Sequence, residues 1–314
     1  MSEVPTWSEI LSEIHKSSTP AYDTQRRKYL RELSDYTDRN TILYSSSWIQ
    51  NKPNVSASLL SIVEEDMEAF MEVVHGLKGD ELDLILHSPG GSAESADAIV
   101  QYLRSKFKDI RVIIPHAAMS AATMLSCSAN KIVMGKHSFL GPIDPQFIFS
   151  TGDSSSAVAA QAIIDQFDMA REEISKDPNK VGVWMPILSA YAPALYQQAK
   201  DEIELAKSLV SKWLHDYMFK GSTKRDEKSA EIGDWLGDHH EFKSHGIHIG
   251  RNLAKKHGMR VEYLEKDQKF QDLVLSVFHS MSITFTDTNA AKIVENQNGK
   301  AFIKTVIVPT GPSK

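Results

Sequence analysis

One cysteine in 314 residues, Cys127, excludes any disulfide within the chain. That scarcity reads as a reducing, cytoplasmic setting. No run approaches the ~18 consecutive apolar residues that a membrane span needs. The opening MSEVPTWSEILSEIHKSSTP lacks the basic start and apolar stretch of a secretory signal. Basic charge is in deficit, with 35 Lys and Arg against 41 Asp and Glu, for a net charge of −6. A chain without a broad positive field is a poor general nucleic-acid binder. Internal repeats and low-complexity tracts are also missing, which removes solenoids and linker-rich arrays. What is present is a globular composition, 41% hydrophobic and 24% charged, long enough for one large domain or two ordinary ones.

Residues 1–40 are polar and helix-prone, without a core-sized apolar pattern, and read as an N-terminal helical arm. TILYSSSW (41–48) reads as a strand. SIVEEDMEAFMEVVHGL (61–77) reads as an amphipathic helix, with Ser61 and Glu64 in the capping-box spacing. ELDLILHS (81–88) reads as a buried strand stopped by Pro89-Gly90-Gly91. A second amphipathic helix follows over 92–107, with Ala96, Ile99, Val100 and Leu103 on one face. IRVIIPHA (110–117) is a strand, 119–129 a small-residue helix and KIVMG (131–135) a fourth strand. Such alternation predicts a parallel sheet layered with helices. After GPIDP (141–145) the strand signals stop. Helices are expected over 156–174 and 195–219, and 222–284 reads as helical with breaks. FIKTVIV (302–308) is a late strand.

Two small-residue turns fall at the C-terminal ends of predicted parallel strands, the edge where ligands gather in open α/β folds. In HSPGGS (87–92), paired glycines let backbone N–H groups approach a ligand closely. In AAMSAAT (117–123), Ser120 stands where strand gives way to helix, between alanines that leave its hydroxyl accessible. A serine nucleophile needs that exposure, N–H donors for the developing oxyanion, and a base within reach. Taken singly, the first is an ordinary strand-to-helix turn and the second a helix N-cap. Together, on successive strands of one sheet, they read as one site.

LILHSPGGSAESADAIVQYL and VIIPHAAMSAATMLSCSANKIVMGKHSFLGPIDP resemble the Clp-protease/crotonase superfold. Within it they are most similar to the signal peptide peptidase A-like serine proteases, and the GPIDPQ ending to the serine dehydrogenase proteinase family. The resemblance covers about residues 80–147. It implies an α/β catalytic domain over 41–220, a Clp/crotonase-like layered parallel sheet, followed by a mainly helical C-terminal region over 221–314. It implies a soluble serine endopeptidase acting on peptides or proteins, without cofactor or metal, as a homo-oligomer. It implies Ser120 as nucleophile and the N–H groups of Gly91 and Ala121 as the oxyanion hole.

The base divides two ways. Clp-type enzymes use histidine and aspartate, and the expected histidine falls at about Ile143 or Asp144, with His137 several residues earlier. The signal-peptidase type uses a lysine some tens of residues beyond the serine. Lys176, or alternatively Lys180, then serves, with its pKa lowered by burial against Val181, Val183, Trp184 and Met185. His239, His240, His245 and His248 fit no tight zinc spacing and read as a polar inter-helix turn, the alternative being that His245 reaches the active site. Cys127 and the tryptophans at 184, 213 and 235 read as core or interface. A crotonase-like acyl-CoA enzyme and a non-catalytic scaffold are the competing readings. The first needs a catalytic carboxylate and a CoA groove in place of a serine nucleophile.

Overall fold

Leu82, Leu84 and Leu86 face one side of a strand while Ile85 faces the other, and both sides are covered. That double burial is what the nearly uninterrupted apolar run of ELDLILH dictates. The computed structural model describes residues 7–16, 21–50, 52–53, 55–151 and 154–306. Its centre is a seven-stranded sheet. β1 (Asn40–Ser46), β2 (Glu81–His87), β3 (Asp109–Ile114), β5 (Lys131–Met134) and β10 (Val261–Tyr263) are parallel. β11 (Ala290–Asn296) and β12 (Ala301–Thr305) add an antiparallel edge, giving the order β10-β5-β3-β2-β1-β11-β12.

One face is covered by α4 (Asp66–Val74), α5 (Ala93–Lys106), α6 (Ala121–Cys127), α9 (Leu195–Trp213) and α10 (Arg225–Leu236). The other carries α1 (Trp7–Lys16), α2 (Tyr22–Thr37) and α13 (Gln268–Asp287). Beyond the sheet's C-terminal edge, β4 (Ala117–Ala118), β6 (Phe139–Leu140) and β9 (Ile249–Gly250) form a small second sheet. A hairpin of β7 (Gln146–Thr151) and β8 (Ser154–Ala159) leads into α7 (Ala160–Lys176) and α8 (Val181–Leu188). The short helices α3 (Ala57–Leu60), α11 (His239–Phe242) and α12 (Arg251–Lys256) complete the set. Among the described residues no helix is long and apolar enough to cross a membrane.

Four expectations change. The segment read as an arm is part of a core layer where it is described. Ile10, Ile14, Tyr29, Leu30 and Leu33 are buried against α13, and Arg26, fully enclosed, pairs with Glu295 of β11 at 2.5 Å. Few apolar residues suffice because they share one stripe. Ser61 does not cap a helix over 61–77. Its hydroxyl bonds the Ala57 carbonyl, Ile62 bridges Gly91, and the helix starts at Asp66. Residues 156–159, expected at a helix start, are strand and pair with residues 146–149 of a hairpin.

The C-terminal region supplies three strands to the central sheet. AAKIVEN was overlooked because Lys292, Glu295 and Asn296 interrupt its apolar pattern, yet all seven residues are buried. Residues 307 and 308 of the expected last strand lie outside the described residues.

Leu30→Ala tests whether the first helices are core. A fully buried leucine truncated in a packed layer costs ~2–5 kcal/mol. Urea unfolding should report a loss in that range, and a loss below ~1 kcal/mol would make α1 and α2 a detachable arm.

Candidate active site

The two small-residue turns meet. Ser88 extends β2 into the second sheet by bridging Ala118. The Ser88 N–H donates to the Ala117 carbonyl at 3.1 Å, and the Met119 N–H to the Ser88 carbonyl at 3.0 Å. Gly90 then lies directly against Ser120. A Cβ on Gly90, whose φ is +102°, would stand 2.5 Å from the Ser120 Cβ and 2.6 Å from the Met119 carbonyl oxygen. Only glycine fits that approach. Gly91, with φ +150°, is equally confined, because its Cβ would fall 2.3 Å from the Ile62 carbonyl oxygen. Ile62 uses the Gly90 carbonyl and the Ser92 N–H, at 2.7 and 3.0 Å, and leaves the intervening Gly91 N–H outside that pairing.

Ser120 has φ 51° and ψ −123°, a conformation that side-chain-bearing residues rarely adopt. Strain of this kind costs on the order of 1–3 kcal/mol and persists only where the surroundings impose it. Here they do. Every residue from Ala121 to Cys127 is buried, while Ser120 itself is partly exposed. Thr123 Oγ donates to the Ala118 carbonyl at 2.8 Å and accepts the Gly141 N–H at 3.0 Å, so one hydroxyl joins the strand before the elbow to the strand after it. Behind the elbow, His87 at the end of β2 contacts the Ala117 carbonyl through Nδ1 at 3.1 Å. Burial, with a smaller push from His116, drives its pKa down to about 3, so its ring is neutral and Nδ1–H is the donor.

Beyond β6 the chain turns at GPIDP and buries Asp144, which is only 2% exposed. Its carboxylate accepts from His245 Nδ1 at 2.7 Å, from His239 Nδ1 at 2.9 Å and from Gln146 Nε2 at 3.0 Å. A carboxylate can only accept, so each ring presents Nδ1–H to it and keeps Nε2 for another partner. The second sheet sets the segments that carry His245 and Ser120 at one end of its ladder. Ala118 pairs with Leu140 in parallel and Leu140 with Ile249 antiparallel. Residues after Ala118, residues after Leu140 and residues before Ile249 therefore leave the ladder at the same end. Ser120, Asp144 and His245 are on these three segments.

The lysines are elsewhere in character. Lys176 ends α7 with its side chain 72% exposed and paired to Glu172 at 2.5 Å. The hydrogen bond it donates to Glu172 raises its pKa. Lys180 is also open to solvent and pairs with Glu173. Of the residues expected to bury them, Val181, Val183 and Met185 are themselves exposed, and Trp184 is buried but donates its indole N–H to Glu173. The burial that a lysine base requires is not supplied around Lys176 or Lys180. His137 is exposed. The Cys127 thiol is fully buried and pushed up to about 12, as inert as its core position suggests.

In the sequence the four histidines of 239–248 stand beside Asp238 and Glu241, but the carboxylate that His239 and His245 bond is Asp144. Asp144 is 95 residues before His239 in the chain. The available signal was the charge in GPIDP, an acid lodged between two prolines and apolar residues at a strand end. Among the described residues no group of three or more His, Cys, Asp or Glu is arranged to hold a metal ion.

Known proteins can now be set beside this geometry. Residues 23–233 match the family of ClpP-like SDH-type serine proteinases. An uncharacterized protein of Methanocaldococcus jannaschii, MJ0137, is 30% identical over 240 residues, covering 74% of this chain and 75% of that one. A second from the same organism, MJ1495, is 30% identical over 165 residues, or 50% and 54% of the two chains. A solved mutant of the 1510-N membrane-bound stomatin-specific protease is 16% identical, with a TM-score of 0.34 over 58% of this chain and 64% of its own. The family match spans the Ser-Pro-Gly-Gly turn, the Ser120 elbow and Asp144, and the chain belongs to the ClpP-like SDH-type serine proteinases.

Proposed function

We propose that the chain is a serine endopeptidase in which Ser120 is the nucleophile, His245 the general base and Asp144 the carboxylate that orients it. The observation that carries this reading is the buried Asp144, holding His245 by Nδ1 at the end of the ladder that begins with the strained Ser120 elbow. Ser120 Oγ attacks a peptide carbonyl and its proton passes to His245 Nε2. Asp144 keeps the tautomer and stabilises the imidazolium. The oxyanion of the tetrahedral intermediate takes the N–H groups of Gly91 and Ala121. His245 returns the proton to the leaving amine. Water, giving its proton to His245, then attacks the acyl-enzyme, and collapse of the second tetrahedral intermediate breaks the ester bond as His245 returns the proton to Ser120 Oγ.

His239 shares the other Asp144 oxygen and holds the carboxylate in place. This reading replaces the serine–lysine chemistry of the signal peptide peptidase A-like type, because the Lys176 environment favours its charged form. A homo-oligomer fits the exposed apolar side chains of α8, where Val183 and Met185 meet solvent.

Three measurements test the site. A fluorophosphonate probe should label the chain at Ser120, and Ser120→Ala should abolish labelling and lower peptide cleavage by ~10⁴-fold or more. Residual cleavage above a few per cent removes Ser120 from the mechanism, and absence of labelling in the unsubstituted chain favours the non-catalytic scaffold. Gly91→Ala should cost ~10²–10³ in turnover, since even a methyl there would meet the Ile62 backbone. Wild-type turnover in that variant would remove the Gly91 N–H from the oxyanion hole.

The pH profile separates the bases. A histidine base loses its proton in a rising limb near pH ~6.5 and the rate is level by pH ~8. A lysine with a raised pKa would leave the rate climbing into alkaline conditions. His245→Ala should silence the enzyme while Lys176→Ala and Lys180→Ala keep most activity. The reverse pattern would return the role to lysine.

A further inference from the structure

A buried ion pair sits behind the glycine turn and is unused by the chemistry above. Lys292 of β11 and Asp66 at the start of α4 are both fully enclosed. Lys292 Nζ donates to the two carboxylate oxygens of Asp66 at 2.8 Å and to the Ser61 carbonyl at 2.6 Å. Asp66 also accepts the Tyr44 hydroxyl at 2.7 Å and the Val63 N–H at 3.0 Å. The cluster therefore grips the chain on both sides of Ile62, by the carbonyl before it and the N–H after it. Ile62 in turn makes the two backbone hydrogen bonds that flank the Gly91 N–H.

We infer that Lys292, Asp66 and Tyr44 are positioning residues for the oxyanion turn. They fix segment 61–63, which fixes the direction of the Gly91 N–H. The inference rests on the proposed role of Gly91 and goes beyond it, by assigning a function to groups that touch neither substrate nor Ser120. A buried pair is expensive to desolvate and seldom adds net stability over well-packed apolar residues. What this pair adds here is direction. Four of its hydrogen bonds converge on one carboxylate, and two of the cluster's contacts are with the backbone of three consecutive residues. An oxyanion donor has to be held within a few tenths of an ångström, and backbone clamped on both sides meets that demand. Gly91 cannot supply its own rigidity, because glycine is the least restrained residue.

The test uses the full chain with Tyr44→Phe and with the neutral replacement Lys292→Met/Asp66→Leu, which leaves no unpaired buried charge. Lys292→Arg, keeping the charge, serves as the conservative variant. Glu295→Gln is the control. It weakens a buried ion pair with Arg26 on the same strand, away from Ile62. In the first two variants kcat should fall about 10- to 100-fold, short of the ~10²–10³ lost when an oxyanion donor is removed outright.

KM should stay within about twofold, because the lost interaction belongs to the transition state. Amide exchange at Ile62 and Ser92 should quicken by about tenfold while β3 stays protected. Lys292→Arg should recover part of kcat, and the control should keep both kcat and exchange. A raised KM at unchanged kcat, a kcat loss that only follows the unfolded fraction, or unchanged exchange at Ile62 and Ser92 would overturn the inference. Should the unsubstituted chain fail to label at Ser120, the peptidase reading falls by itself. The exchange measurement still decides whether the cluster holds the turn: unchanged exchange refutes it and faster exchange sustains it.

Discussion

The meeting of the glycine turn and the serine elbow depends on two backbones passing closer than side chains allow. Gly90 lies against Ser120 with no room for a methyl group between them. The contact joins the end of β2 to the start of α6, and each partner is strained to make it. Gly90 and Ser120 both hold positive φ. A glycine bears that at little cost, whereas a serine does not. The serine elbow is therefore held by its surroundings: the buried small residues of α6, the Thr123 hydroxyl bridging Ala118 and Gly141, and the neutral His87 behind Ala117. Strain at one residue implies restraint from several others.

The restraint is polar as well as apolar. Two enclosed carboxylates, Asp144 and Asp66, are each surrounded by several donors. Their partners differ in kind. Asp144 faces two imidazoles that can each carry or release a proton, so its environment suits a group that must change charge during a reaction. Asp66 faces the Lys292 amine, a phenol and a backbone N–H. Burial favours the uncharged form of Lys292 and Asp66 opposes that by attraction and hydrogen bonding, so the pair is held as one unit. On the proposed mechanism Asp144 serves proton transfer, and on the inference above Asp66 serves geometry.

The parallel strands, the glycine turn and the serine elbow were legible because each is local. Apolar runs of strand length, paired glycines and a serine among alanines need only their near neighbours to be interpreted. β11 was not, since its Lys292 and Glu295 look like surface charges until Asp66 and Arg26 are seen opposite them. The same holds for the first helices, where Arg26 reads as solvated and is enclosed. His245 and Asp144 were each visible, but their pairing depends on β6 and β9 being neighbours, and a two-residue ladder leaves no periodic trace. The burial expected around the lysines is absent for a related reason. Val181, Val183 and Met185 looked like material for burial, and in the folded chain they face outward.

Charged residues inside a core thus carry information that apolar ones do not. A leucine in β11 would satisfy the same neighbours in many orientations. Lys292 satisfies its neighbours in one, with three donors directed to the two Asp66 oxygens and the Ser61 carbonyl. Replacing such pairs by hydrophobic residues is often neutral or favourable for stability, so stability alone gives no reason to bury a lysine there. Direction does. The segment that Lys292 grips is a single bridge residue wide, too short for a sheet to define. A strand in the middle of a sheet receives its position from a ladder of bonds on each side. Ile62 has one bridge to one residue, and the charges behind it supply the precision that a ladder would otherwise provide.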